Sequence, residues 1–88
     1  MRALNRRGGA LPALSRRALG ELGRLQAGMQ ALALSRNTAM RLLIASRRVT
    51  TARAQREFWL EFTRRDREYR AAVRRLAQFC LEHRVPAP

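Results

Sequence analysis

Two stripes of apolar residues with helical spacing run along this chain, and they do not share a phase. Spacings of three and four residues place each stripe on one face of a helix. The first stripe comprises Leu11, Leu14, Ala18, Leu22, Leu25, Met29, Leu32, Ala39 and Leu43. The second comprises Trp59, Phe62, Tyr69, Val73, Leu76 and Cys80. At about 100° per residue, Phe62 lies roughly 100° around the axis from Leu43, so one straight helix would carry two separate apolar faces.

The segment between the stripes favours a turn. Residues 46–51 contain two β-branched threonines and three hydroxyl side chains that can cap a helix N-terminus. Pro12 suits a first helical turn, and Pro86 and Pro88 suit a chain that has left a helix. We therefore predict helix 1 at about 12–46 and helix 2 at about 51–84. A single bent helix is the alternative.

These elements predict an all-α fold, an amphipathic helical hairpin of two long helices that self-associates. A chain of 88 residues allows one small domain with a modest core. We assign residues 11–84 to that domain, 85–88 to a tail, and 1–10 to a disordered basic arm. The arginine-bearing, acid-free N-terminus also suits an organelle transit peptide, which would make the protein mitochondrial rather than cytoplasmic.

Charges flank the second stripe asymmetrically. Taking Phe62 as the centre of the apolar face, one flank carries only arginine and the other carries most of the glutamate. The arginine flank holds Arg56, Arg67, Arg70 and Arg74, and the glutamate flank holds Glu57, Glu61 and Glu68, with Arg75 among them. Such sorting favours helix–helix packing over a helix lying flat on an anionic membrane. Asp66 falls within the stripe and either pairs with an arginine across the interface or stays at the edge with Arg70.

The formal net charge of +13, from 19 arginines and six acids, indicates attraction to polyanions. Nonspecific nucleic-acid binding is therefore an alternative function. The candidate polyanion contacts are Arg2, Arg6, Arg7, Arg16, Arg17, Arg47 and Arg48. The aromatic residues follow core spacing, however, which is more typical of packing than of base stacking.

No residue pattern indicates catalysis. Cys80 and His83 lie one helical turn apart, but structural zinc normally takes four ligands, so we predict no metal site and no cofactor. Most acids have an arginine three or four residues away, which explains them as ion pairs. The single cysteine excludes an intrachain disulfide, and no apolar run approaches the roughly 18 residues of a transmembrane helix. We predict that the protein is not an enzyme.

Four segments resemble phasins, the small helical proteins that coat polyhydroxyalkanoate granules in bacteria. They are residues 25–33 (LQAGMQALA), 54–58 (AQREF), 69–72 (YRAA) and 75–79 (RLAQF). The second is similar to the Ala-Gln-x-Glu-Phe often seen where the second half of a phasin begins. The resemblance implies an all-helical, self-associating cytoplasmic protein that adsorbs to a hydrophobic polyester surface, and it carries no catalytic residues.

We therefore expect a non-catalytic protein whose seams bind each other, partner helices of a homo-oligomer, or a hydrophobic granule surface. The expected interaction seam comprises Leu25, Met29, Leu32, Leu43, Trp59, Phe62, Tyr69, Val73 and Leu76.

Overall fold

The computed structural model describes residues 14–49 and 51–85, which form two long helices packed as a hairpin. Helix α1 spans Arg16–Val49 and helix α2 spans Ala52–His83. No strand occurs within these described ranges, and the predicted all-α hairpin is confirmed. The basic arm predicted at residues 1–10 and the end of the predicted tail, residues 86–88, lie outside the described ranges.

Side-chain and backbone caps set the helix ends. Ser15 caps the N-terminus of α1, because its hydroxyl oxygen accepts a hydrogen bond from the Ala18 N–H at 3.1 Å. Leu14 precedes the helix, although its apolar spacing placed it inside. Thr51 caps α2 in the same way through the Ala54 N–H. Beyond α2, Arg84 adopts a left-handed conformation with φ 56°, and its N–H donates to carbonyls of the last turn.

Helix α1 continues past the expected end near residue 46. The Ser46 side chain is buried, and its hydroxyl donates to the Leu43 carbonyl at 2.7 Å. This hydroxyl is bonded back into its own helix, and the chain stays helical to Val49. The first capping hydroxyl of α2 is that of Thr51.

The core is a narrow seam between the helices. Its buried apolar residues are Ala18, Ala39 and Leu43 on α1, and Ala72, Leu76, Phe79 and Cys80 on α2. Three of these seven are alanines, whose small side chains let the helices approach closely. No large side chain is fully buried among the described residues. A core of this size leaves the hairpin with little stability of its own.

The buried face of α2 differs from the one that its aromatic residues suggested. A face centred on Phe62 would bury Trp59 and Val73, but these side chains are 53% and 37% exposed. The buried set is centred about 55° further around the helix, towards the glutamate flank. Leu76 belongs to both the expected and the observed face. Phe79 is buried and Val73 is exposed, which shows that α2 is rotated relative to the expected orientation.

Polar contacts between the helices define their register. Gln55 lies within hydrogen-bonding distance of the Ser46 carbonyl, and further from the turn Arg65 donates to the Ser35 carbonyl. The two contacts are ten to eleven residues apart on each helix, so the antiparallel helices keep the same register between them. This register places Ala39 roughly opposite Phe62, so a small side chain faces a large one.

We predict that Leu76→Ala destabilises the hairpin strongly. Leu76 is 3% exposed, and a truncated core leucine typically costs about 2–5 kcal/mol because the cavity collapses only partly. Thermal melting followed by circular dichroism would measure the effect as a lower Tm. The matched control is Leu81→Ala, on the same helix but 75% exposed, which should change stability by about 0.5 kcal/mol or less. Equal effects of the two substitutions would contradict the observed face of α2.

Candidate functional site

Arg36 lies in the apolar stripe of α1 and is neutralised by α2. Its Nε donates to Asp66 Oδ1 at 2.7 Å, with the two side chains 33% and 19% exposed. The guanidinium carbon also lies 5.9 Å from the Phe62 ring centre and 5.3 Å from that of Tyr69. A half-buried cation needs such compensation, and here the carboxylate and both aromatic faces come from the other helix.

Asp66 satisfies both alternatives that its position left open. Its Oδ1 accepts from Arg36 across the interface, while its Oδ2 accepts from Arg70 Nε at 2.8 Å, one turn along α2. A carboxylate can accept several hydrogen bonds at once, so the two pairings do not compete. Asp66 therefore links the two helices and also sits at the edge of the seam.

A second polar contact lies on the opposite edge of the seam, at nearly the same level. Arg65 Nη1 donates to the Ser35 carbonyl of α1 at 3.1 Å, and Arg65 Nε pairs with Glu61 at 2.7 Å. Arg64 extends this network by pairing with Glu61 and, at 3.0 Å, with Glu68. The apolar seam is thus bracketed by polar contacts on both sides near its middle.

These arginines lower the pKa values of two carboxyl groups. At Asp66, partial burial raises the pKa, but hydrogen bonds and charges from Arg70 and Arg36 outweigh that effect and hold the pKa below its ordinary value. At Glu61, the hydrogen bond from Arg64, followed by that from Arg65, lowers the pKa. Both carboxylates are therefore ionised at neutral pH.

The hairpin has two sides of different charge. We call the side of α2 with Glu57, Glu61 and Glu68 the glutamate side, and the side with Arg56, Arg67, Arg70 and Arg74 the arginine side. A shallow groove of about 310 Å³ opens on the glutamate side. This Leu42 groove is lined by Ala39, Leu42, Glu57, Phe58, Glu61 and Arg65.

The arginine side carries its own shallow groove and an exposed aromatic ring. That groove is lined by Arg36, Asp66, Tyr69, Arg70, Val73 and Arg74. At about 100° per residue, Trp59 lies roughly 60° from Phe62 on the same side as Arg70. Its indole is 6.0 Å from the Phe62 ring, centre to centre, and packs on the edge of the seam with about half its surface exposed.

Large apolar side chains remain exposed on several sides of the hairpin. Among the described residues, those that stay at least a third exposed are Leu19, Leu34, Leu42, Ile44, Trp59, Leu60, Val73 and Leu81. Isolated exposed apolar residues are ordinary on protein surfaces. The described part of the hairpin thus exposes eight large apolar side chains against a core of seven buried apolar residues.

The expected seam residues differ in how deeply the structure buries them. Leu43 and Leu76 are buried. The half-buried members of the seam are Leu25, Met29, Leu32, Phe62 and Tyr69. Trp59 and Val73 lie outside the interface of the helices and face solvent. Sequence reasoning did not include Ala72 and Phe79 in the seam, although the four-three spacing Ala72, Leu76, Phe79 would have identified them.

Four of the seven candidate polyanion contacts lie on the exposed surface of α1. Arg16, Arg17, Arg47 and Arg48 are exposed and form no ion pair with the described residues. Arg47 and Arg48 occupy the last turn of α1, where positive charge is favourable. The remaining three candidates, Arg2, Arg6 and Arg7, lie outside the described residues.

Cys80 and His83, the pair one helical turn apart, both make contacts within the hairpin. Cys80 is buried in the seam. The His83 ring stacks on Phe79 with centres 4.0 Å apart, and its Nδ1 lies 3.0 Å from the Phe79 carbonyl oxygen. Among residues 14–49 and 51–85, no three His, Cys, Asp or Glu side chains are grouped so that they could hold a metal ion. In the same ranges, neither helix is long and apolar enough to span a membrane.

Comparisons with protein-family models, curated proteins and solved structures find no match to this chain.

We predict that Asp66→Asn destabilises the hairpin more at neutral pH than in acid. Because the pKa of Asp66 is lowered in the folded state, its ionised form contributes stability that is complete above the ordinary range of about pH 4. That contribution is lost as the pH falls through the lower folded-state pKa. Urea denaturation of both proteins at neutral and acidic pH would show the difference shrinking in acid.

The control is Glu57→Gln, whose carboxylate is 70% exposed and approaches Arg53 only to 3.9 Å. An exposed pair of this kind contributes little, so this substitution should change stability slightly at either pH. A pH-independent effect of Asp66→Asn would contradict the ionic role of Asp66.

Proposed function

We propose that this chain is a non-catalytic, cytoplasmic helical protein that self-associates and adsorbs to a hydrophobic surface, as phasins coat polyester storage granules. The observation that carries the proposal is the set of large apolar side chains left exposed by the closed hairpin. Covering them removes apolar surface from water, which is favourable by about 25 cal/mol per Å².

The small core gives a second reason. Three of its seven buried apolar residues are alanines, and no large side chain is fully enclosed in the described part of the chain. An isolated hairpin with so little buried surface gains stability whenever a further surface covers its helices. Self-association and adsorption both provide such a surface, with no catalytic group involved.

The arginine side supports adsorption without opening the hairpin. Trp59 and Val73 are exposed there, whereas Leu76 and Phe79 hold the helices together and would have to separate in an open form. An indole ring is suited to an interface because one edge is apolar and its N–H can remain in water. The neighbouring arginines can lay their aliphatic stems on the surface and keep their charge in solvent.

We predict that the double substitution Trp59→Ser and Val73→Ser weakens adsorption to polyhydroxyalkanoate beads roughly tenfold, because it removes the apolar contact area on this side. Partitioning of the full chain between beads and solution would measure the effect. Circular dichroism should show unchanged helicity, since neither side chain is buried.

The matched control is Leu34→Ser, which removes a 69% exposed apolar side chain from the outer side of α1. It should leave adsorption close to that of the unsubstituted chain. Adsorption that persists in the Trp59 and Val73 variant but falls in the Leu34 variant would contradict the proposed surface.

Nonspecific polyanion binding is a second candidate, favoured by Arg47 and Arg48 in the last turn of α1, which are exposed and form no ion pair within the described ranges. If it operates, DNA binding measured by fluorescence anisotropy should fall steeply as salt rises, and Arg47→Gln with Arg48→Gln should reduce the salt dependence by up to about two phosphate contacts. Binding should survive the Trp59 and Val73 substitutions. Weak DNA binding at physiological salt would reject this candidate.

A further inference from the structure

The two sides of the hairpin differ in whether they can face their own copy. On the glutamate side, Glu57, Glu61 and Glu68 are matched by three arginines that pair with them, Arg53, Arg64 and Arg65. Arg75 falls on the same flank and forms no ion pair with the described residues, so this side of α2 holds four arginines and three glutamates, which are interleaved. A surface on which most charges are already paired can meet an identical surface with little like-charge repulsion.

The arginine side lacks this degree of pairing. Asp66 is its one carboxylate among the described residues, and Arg36 and Arg70 already share it. The other arginines of this side, Arg56, Arg67 and Arg74, form no ion pair in the described ranges. Two copies meeting through this side would bring unpaired guanidinium groups together, which is unfavourable.

The glutamate side also offers an apolar centre. Leu42 is 47% exposed beside the groove that Ala39 and Phe58 line, and the rim of that groove is charged. An apolar centre with a charged rim is the usual anatomy of a protein–protein interface. The face is also large enough for a stable interface. Two helices side by side, each about 48 Å long and about 10 Å wide, present a face of roughly 960 Å². A stable complex buries about 800 Å² per partner.

We propose that the Leu42 groove is the docking site for a second copy of this chain, in a two-fold dimer whose arginine sides both remain exposed. In a two-fold interface each copy uses the same patch, so Leu42 of each copy packs against Phe58 of the other. The product is a four-helix bundle, in which the seam of each hairpin gains a second covered flank. This inference rests on the self-association in the proposed function and specifies where it occurs.

The location of Trp59 gives the dimer an internal reporter. Trp59 lies on the arginine side, away from the Leu42 groove, so its exposure should not change when the dimer forms. Acrylamide quenching of its fluorescence should therefore be the same above and below the dimer dissociation constant. A dimer formed through the arginine side would instead protect Trp59 as the concentration rises.

Sedimentation velocity on the full chain tests the proposal directly. The unsubstituted chain, of 10.1 kDa, should sediment with twice that mass at high concentration. Leu42→Asp should raise the dimer dissociation constant at least about 30-fold, as expected for a side chain at the centre of an interface. The matched control is Ile44→Asp, which alters a 55% exposed residue two positions away on a different side of α1 and should leave the dimer intact.

A second variant avoids any effect of Leu42→Asp on folding. Glu57→Arg changes only an exposed rim charge, and it should weaken the dimer at low salt and recover when salt screens the added charge. The proposal is overturned if Leu42→Asp and Ile44→Asp dimerise equally, if Glu57→Arg dimerises as tightly as the unsubstituted chain at low salt, or if the unsubstituted chain stays monomeric.

Bead adsorption separates this inference from the proposed function. Dimerisation that Leu42→Asp weakens, in a chain that does not adsorb to the beads, would support the Leu42 groove and reject the surface coating. Adsorption by a chain that remains monomeric would support the surface coating and reject the dimer through the Leu42 groove.

Discussion

A positive charge in an apolar seam governs the arrangement of this hairpin. Arg36 lies half-buried in the apolar stripe of α1, and its compensation comes from α2: the Asp66 carboxylate at 2.7 Å and the faces of Phe62 and Tyr69. Without these groups the guanidinium would be half-buried and unpaired, which is costly. Packing of the two helices is therefore what supplies Arg36 with its carboxylate and its aromatic neighbours.

The same contact explains why the hairpin has two unlike sides. Asp66 is drawn into the seam edge from the arginine side, so that side loses its one carboxylate among the described residues to internal pairing and keeps an excess of unpaired arginine. The glutamates remain on the other side, in a balanced network with Arg64 and Arg65. Charge that stabilises the fold thus also leaves most charges of one side paired and most arginines of the other unpaired among the described residues.

Side-chain size accounts for the modest core and for the exposed apolar residues. Ala39 and Ala72 bring the helices together but contribute little buried area. Because the seam is narrow, larger side chains on either flank, such as Leu42 and Trp59, extend beyond it. A two-helix protein with this composition reaches a fully covered state only through further contacts, which is the physical basis of the proposed function.

The sequence by itself determined that the chain is helical and favoured a turn within residues 46–51, because periodicity of three and four residues and capping hydroxyls are local properties of the chain. It left a single bent helix open, and the structure shows two helices. The sequence also showed that Asp66 lies within the second stripe. Tertiary structure alone decided the rotation of α2: a single helix shows an apolar arc, but only the opposing helix selects its centre. Packing against α1 places that centre about 55° from Phe62, with Phe79 buried and Trp59 exposed.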